Sequence, residues 1–262
     1  MADPISLDFK TLDDLALGAG RGALILDSLP PIQAQALGPV VEALSLTPAW
    51  QASSLDGFGW LDAGQFIHMV GDVEAGRTSS QVAGAQVGWI CWDHMFDKVH
   101  WTGFLMRLAA AINTQRFDER VRNGVSAMLG EFRSNIAEHA NLREGAVAAY
   151  CANSDALEIA IADRGRGVLQ SLRENPLYAS LADSGHALRL SVSEGVSRHP
   201  DPGRGHGFTH LFRGLANRFS YIRLRSGDHA LEITRSESGQ PMERLSQKAA
   251  VPGLLIYSRF DR

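Results

Sequence analysis

Apolar positions along the 262-residue chain follow two rhythms. Between 101 and 140 they recur every three or four residues: Phe104, Leu105, Leu108, Ala109 and Ile112, then Val121, Val125, Met128, Leu129, Phe132 and Ile136. That spacing gathers them on one face of a helix, so two helices are expected, the second over 118–140. After 140 the rhythm shortens. The runs 145–152 and 157–162 are rich in apolar and small residues and read as adjacent strands. Asn153-Ser154-Asp155 between them suits a turn, because these side chains satisfy local backbone groups. Short helices are expected over 168–172 and 187–192, and a longer one over 208–219 with Leu211, Phe212 and Leu215 inward. Strands are expected over 221–224, 230–234 and 253–260, with 236–250 as an exposed connection.

The first hundred residues are less regular. Residues 1–15 read as polar and partly irregular. Gly18-Ala19-Gly20-Arg21-Gly22 precedes the apolar run 23–27, a turn entering a buried strand. In a dinucleotide fingerprint the strand comes first and a helix follows, so this is not one. Pro30-Pro31 suits the first turn of a helix, expected over 32–46 with Leu37, Val40, Val41 and Leu44 on one face. Residues 47–80 carry Trp50, Phe58, Trp60, Phe66 and several glycines and suggest short strands and turns; 87–92 suggests another strand. The chain thus divides into an N-terminal α/β segment over 1–100, which holds no motif that reads as chemistry, and a second unit over 101–262.

Composition narrows the function classes. Hydrophobic residues make up 45% and charged residues 21%, enough for a sizeable core. A net charge of -4 argues against a nucleic-acid partner, since phosphate backbones call for a basic surface. Lys10, Lys98 and Lys248 are the only lysines, so arginines and backbone amides would have to meet any bound phosphate. Cys91 and Cys151 stand far apart without metal spacing and read as buried reduced thiols. His94 and His100 lack a ligand pattern and read as surface or packing residues. There is neither a basic start followed by an apolar run nor an apolar run of about 18 residues, so no signal peptide and no membrane span are expected, and a cytoplasmic protein is.

Three short stretches carry candidate chemistry. Glu131 and Asn135 lie four apart on the expected helix and share a face, with His139 four further on. A carboxylate and an amide side by side can orient a water and hold a hard cation such as magnesium, which takes oxygen ligands; an ordinary solvated helix face has the same composition. Asp163 closes the alternation of Leu157, Ile159 and Ile161. A carboxylate at a strand end can accept a hydrogen bond from an exocyclic amine, which distinguishes adenine from guanine. Gly165 and Gly167 after it permit close backbone approach and positive φ, as they would in a simple Asp-x-Gly turn. Gly203, Gly205 and Gly207 lead into the helix expected at 208, where free N–H groups form an anion site to which Arg204 could add charge. No Gly-Lys-Ser/Thr element accompanies them, so this is not a P-loop.

In this order, Glu131-x-x-x-Asn135, Asp163-x-Gly165-x-Gly167 and Gly203-x-Gly205-x-Gly207 resemble the N box and two glycine boxes of the Bergerat-type (GHKL, histidine-kinase-like) ATPases. The resemblance covers roughly 102–262, and the Asn135-x-x-x-His139-Ala140 ending is most similar to the anti-sigma-factor kinase branch. It implies a two-layer α/β sandwich: a mixed, mainly antiparallel sheet with helices on one face, preceded by an N-terminal α/β segment that could pack on the same sheet. It implies ATP and magnesium as ligands. Glu131 would be the general base, Asn135 the metal ligand and Asp163 the adenine contact. Gly165 and Gly167 would form the turn beneath the base, Gly203, Gly205 and Gly207 with Arg204 the phosphate loop, and 168–202 the lid. The implied activity is an ATPase or a protein Ser/Thr kinase in signalling; the alternative is an ATP-regulated binding module that needs no turnover. The implied partner is a regulatory protein, STAS-like or other, with neither nucleic acid nor membrane involved, and a homodimer is left open. Phe208 stands where the family has Leu, and Pro252-Gly253-Leu254 where it often has Gly-Thr, which removes a hydroxyl that commonly supports the adenine contact. No histidine occurs between Trp101 and Glu138, so the resemblance carries no upstream phosphoacceptor histidine.

Overall fold

A computed structural model describes residues 5–18, 32–34, 36–46, 55–58, 79–80, 86–140, 145–193 and 218–262. In chain order its elements are β1 (Ile5–Leu7), α1 (Phe9–Gly18), β2 (Ile32–Ala34), α2 (Leu37–Leu46), β3 (Leu55–Phe58), β4 (Ser79–Ser80), β5 (Gln86–Cys91), α3 (Trp92–Met95), α4 (Lys98–Thr114) and α5 (Glu119–His139). There follow β6 (Val147–Ala152), β7 (Ala156–Ala162), α6 (Gly167–Leu172), a 3-10 turn (Pro176–Tyr178), α7 (Ser184–Ser191), β8 (Tyr221–Arg235) and β9 (Pro241–Asp261).

Six strands form one sheet in the order β4-β5-β6-β7-β9-β8, and every pair in it is antiparallel. The α/β class and the antiparallel sheet with helices agree with expectation. Side-chain alternation sorts the sheet into two apolar faces. Ala148, Tyr150, Ala152, Ile159 and Ile161 turn to the first face, where Phe104, Leu108, Val125, Leu129, Phe132, Leu172 and Leu188 of α4–α7 meet them. Val147, Ala149, Cys151, Ala160 and Ala162 turn to the second face, against Leu12 of α1 and Leu37, Val40 and Val41 of α2. The second face is therefore covered by the N-terminal segment, which explains why β6 and β7 are buried at every position.

Local chemistry starts the helices. Asp97 accepts from the His100 amide at 2.9 Å, Asp118 from the Arg120 amide at 2.7 Å, and Asp183 from the His186 amide at 2.8 Å, each satisfying an otherwise orphan N–H. Asn153 does the same work in the β6–β7 turn, accepting from the Asp155 and Ala156 amides at 2.8 Å each. The start of α2 is capped from a distance: buried Glu158 of β7 accepts from the Leu37 amide at 2.7 Å.

Several expectations are corrected. Residues 9–18 form α1 rather than irregular chain, with Leu12 and Ala16 buried. The helix expected from 32 starts at Leu37, and 32–34 pair instead as β2 between β1 and β3 in a small parallel sheet. Residues 241–250 are not a connection. Of these, 241–247 pair with 229–235 as the outer half of a long hairpin, turned at 236–240, and the exposure of 241–250 hides their strand character from a hydrophobic pattern. Residues 98–114 form α4 across position 100, and β5 before it is hydrogen-bonded to β6. The strand expected at 23–27 and most of the helix expected at 208–219 lie outside the described residues.

The N-terminal helices close on the sheet through aromatic and ionic contacts. Phe9 lies against Tyr257 and Tyr221, with ring centroids 5.2 and 5.8 Å apart, and under the Arg223 guanidinium. A Cβ placed on Gly38 of α2 would stand 2.5 Å from the Phe9 ring and 2.6 Å from the Tyr257 ring. Gly38→Ala should therefore lower stability by about 1–3 kcal/mol despite alanine's better helix propensity, a loss read from the urea midpoint.

Beneath these rings lies a charge cluster. Arg223 is 0% exposed and donates to Glu42 at 2.8 and 2.9 Å, Asp13 at 2.7 Å and Glu232 at 3.2 Å. Arg225 donates to Glu42 at 3.0 Å, and Lys248 lies 2.6 Å from Asp13. With Arg244, which donates to Glu232 at 2.9 Å, four cations thus face three buried carboxylates across the boundary between α1, α2 and the β8–β9 hairpin.

Candidate functional site

Glu131 and Asn135 belong to α5, and Arg133 between them fixes which way they face. Arg133 donates to the Met95 carbonyl at 2.6 Å and the Phe96 carbonyl at 3.1 Å, with its guanidinium over Trp101. It therefore occupies the flank of α5 turned to α3 and α4. Residues two before and two after it sit about 200° round the helix, so Glu131 and Asn135 share the opposite flank. Both side chains are half-buried. Because α4 lies over β5 and β6 while α6 and α7 lie over β8 and β9, that flank looks along the sheet toward α6 and α7.

The chain leaving β7 passes beneath the end of α5. Arg166 N donates to the Ala140 carbonyl at 3.1 Å. Gly165 makes this approach feasible, since a Cβ there would sit 2.2 Å from the same oxygen. Gly167 takes φ +77 as the chain turns into α6. The two glycines thus divide the roles expected of them: one permits close contact, the other positive φ.

Asp163 stands between these features. It is 5% exposed, its amide donates to the Leu254 carbonyl at 2.9 Å, and its Oδ1 accepts from the Gly165 amide at 2.7 Å. Burial pushes its carboxyl up to about 6, against the pull of the Gly165 and Leu254 amides. A carboxylate kept this dry is costly unless a donor comes to it.

Two residues that carry no motif complete the arrangement. Gly253, in a left-handed conformation at φ +67, brings its backbone against Asp163; a Cβ there would lie 2.6 Å from Oδ1. Ser226, buried on β8, donates to the Gly253 carbonyl at 2.7 Å and accepts from the Val168 amide at 3.0 Å. A glycine after proline inside a strand is a sign of such close approach. Nothing in the sequence marks Ser226.

The remaining expected site residues fall elsewhere. Gly203, Arg204, Gly205, Gly207 and Phe208 lie outside the described residues, and His139 ends α5. The stretch expected as a lid, 168–202, is over 168–193 largely a core element: Val168, Leu172, Ala187 and Leu188 pack into the first-face core. Cys91 and Cys151 are free and buried, and burial drives the Cys151 thiol far up. The His94 and His100 rings pack 4.2 Å apart, and His100 is held by Asp97 at 2.7 Å. No helix of the described residues is long and apolar enough to cross a membrane. Comparison with known protein families, curated proteins and solved structures finds no match to this chain.

Proposed function

We propose that this chain binds ATP with magnesium in a Bergerat-type site on the first face of the sheet and acts as an ATP-dependent signalling protein. Its activity would be that of an ATPase or a protein Ser/Thr kinase of the anti-sigma-factor kinase type, acting on a regulatory protein partner. The observation that carries the reading is the buried Asp163 carboxylate, set on a glycine turn under the end of the helix whose flank away from α4 holds the half-buried Glu131 and Asn135. Asp163 has an environment that calls for a polar donor, and the exocyclic amine of adenine is one. Glu131 would take the proton of an attacking water or hydroxyl. Among the described residues no group of three or more His, Cys, Asp or Glu could hold a metal. A magnesium ion would be held by the Asn135 amide oxygen together with substrate phosphates and waters. Magnesium, when bound, offsets phosphate charge. The glycine segment 203–207 with Arg204 would supply the amides and the cation around the phosphates.

Asp163→Asn tests this reading. It should weaken binding of a non-hydrolysable ATP analogue about 10–100-fold, the worth of a hydrogen bond to a charged group. Wild-type affinity should fall as pH drops through about 6, where the carboxyl gains its proton, and the variant should lack that step. Stability should move the opposite way. The folded-state carboxyl titrates at about 6, above its ordinary 3.8, so its contribution to the nucleotide-free fold is complete below about 3.8 and lost as pH rises through about 6. At pH 8 the asparagine variant should therefore melt at or above wild type. An Asp163→Asn protein that binds the analogue as wild type does would remove Asp163 from the site.

A further inference from the structure

We propose that Ser226 is a positioning residue of this site: its buried hydroxyl sets where the Asp163 carboxylate stands and so how strictly adenine is selected. The inference rests on the nucleotide reading above. The turn from Asp163 into α6 is pinned at three points: Asp163 N to the Leu254 carbonyl at 2.9 Å, Arg166 N to the Ala140 carbonyl at 3.1 Å, and Val168 N to Ser226 Oγ at 3.0 Å. The first two join backbone to backbone. Only the third depends on a side chain. The same hydroxyl holds the Gly253 carbonyl at 2.7 Å, and Gly253 is the wall beside the carboxyl, its virtual Cβ lying 2.0 Å from the Asp163 carbonyl oxygen. One hydroxyl, with one proton to give and lone pairs to accept, thus fixes the far end of the turn relative to that wall.

Ser226 is itself held in place. At the register shift between Ser226 and Gly227, the neighbouring Arg225 donates to the Gly227 carbonyl at 2.9 Å, the His229 carbonyl at 3.2 Å and the Ala249 carbonyl, bracing the hairpin from the second face. Removing the Ser226 hydroxyl leaves the Val168 amide and one Gly253 acceptor site unmatched in a buried place, so the turn loses its far anchor while the brace behind it stays.

The experiment compares wild type, Ser226→Ala and Ser226→Thr well below their melting temperatures. Hydrogen exchange of the nucleotide-free proteins reports on the Gly165 and Val168 amides, and titration with non-hydrolysable ATP and GTP analogues reports on selectivity. Ser226→Ala should speed exchange at both amides about tenfold or more and reduce the ATP-over-GTP affinity ratio about tenfold, and Ser226→Thr should restore both. General destabilisation would weaken both analogues alike and leave the ratio alone. Unchanged exchange, or faster exchange with an unchanged ratio, overturns the proposal. A wild-type protein that exchanges as described but binds neither analogue removes the nucleotide reading, and the proposal with it.

Discussion

Glu42→Ala should cost the fold about 3–5 kcal/mol, the usual penalty for stripping one partner from a buried ion pair. Glu42 is 1% exposed and receives both Arg223 and Arg225, through contacts of 2.8, 2.9 and 3.0 Å. Without it, Arg223, Arg225, Lys248 and Arg244 face Asp13 and Glu232 alone, and Arg225 loses its carboxylate partner among the described residues. Water cannot compensate the Arg223 or Arg225 guanidinium, because neither is exposed by more than 1%. The loss is a large share of a typical domain's 5–15 kcal/mol, so the variant would be studied in urea at low temperature beside Glu42→Gln, which keeps the shape and one accepting oxygen but sets an amide NH2 against an arginine donor. Glu42→Gln should fall between wild type and Glu42→Ala. Because the cluster is buried, salt should change these differences little. A loss under about 1 kcal/mol for Glu42→Ala would mean that the cluster does not hold the N-terminal helices to the sheet.

Glu131→Ala should reduce ATP turnover or phosphotransfer about 10²–10⁴-fold, the range removed with a general base, while leaving analogue affinity within about threefold. The separation follows from position. Glu131 lies one helical turn before Asn135 on the same flank of α5, whereas the turn that follows Asp163 meets the chain beyond Asn135, where Arg166 N donates to the Ala140 carbonyl. The base would touch the attacking group, not the purine. Asn135→Ala should instead lower affinity for the magnesium complex. If wild type turns over ATP and Glu131→Ala does so equally well, Glu131 is not the base. If neither does so with any partner, but nucleotide still controls partner binding, the module without turnover is the better description.

What the sequence made legible was local. Helix α5 could be read because its apolar positions and its Asp118 cap lie within a few turns of each other, and Glu131 and Asn135 came with it. The 163–167 turn was legible for the same reason. The second face was not. In Tyr221-Ile222-Arg223-Leu224-Arg225, apolar and charged residues alternate as on a strand with one wet side, yet both arginines are buried under α1 and α2. Their partners Asp13 and Glu42 lie some two hundred positions away, and no short-range pattern links them. Ser226 and Gly253 were hidden likewise, since their contacts with the Asp163 turn exist only once β7, β9 and β8 have paired in register. The strand over 241–250 escaped because it is polar and largely exposed, so the rhythm that marks a buried strand was missing there, while its partner 230–234, with Leu231 and Ile233 buried, could be read.

The central claim is that Asp163, the α5 flank and the glycine segment beyond 200 enclose one purine triphosphate. Calorimetric titration of the wild-type chain with magnesium and a non-hydrolysable ATP analogue tests it most directly. The account predicts a saturable heat at one nucleotide per chain, accompanied by a raised melting temperature. Absence of both, at nucleotide concentrations up to the millimolar range, would contradict it.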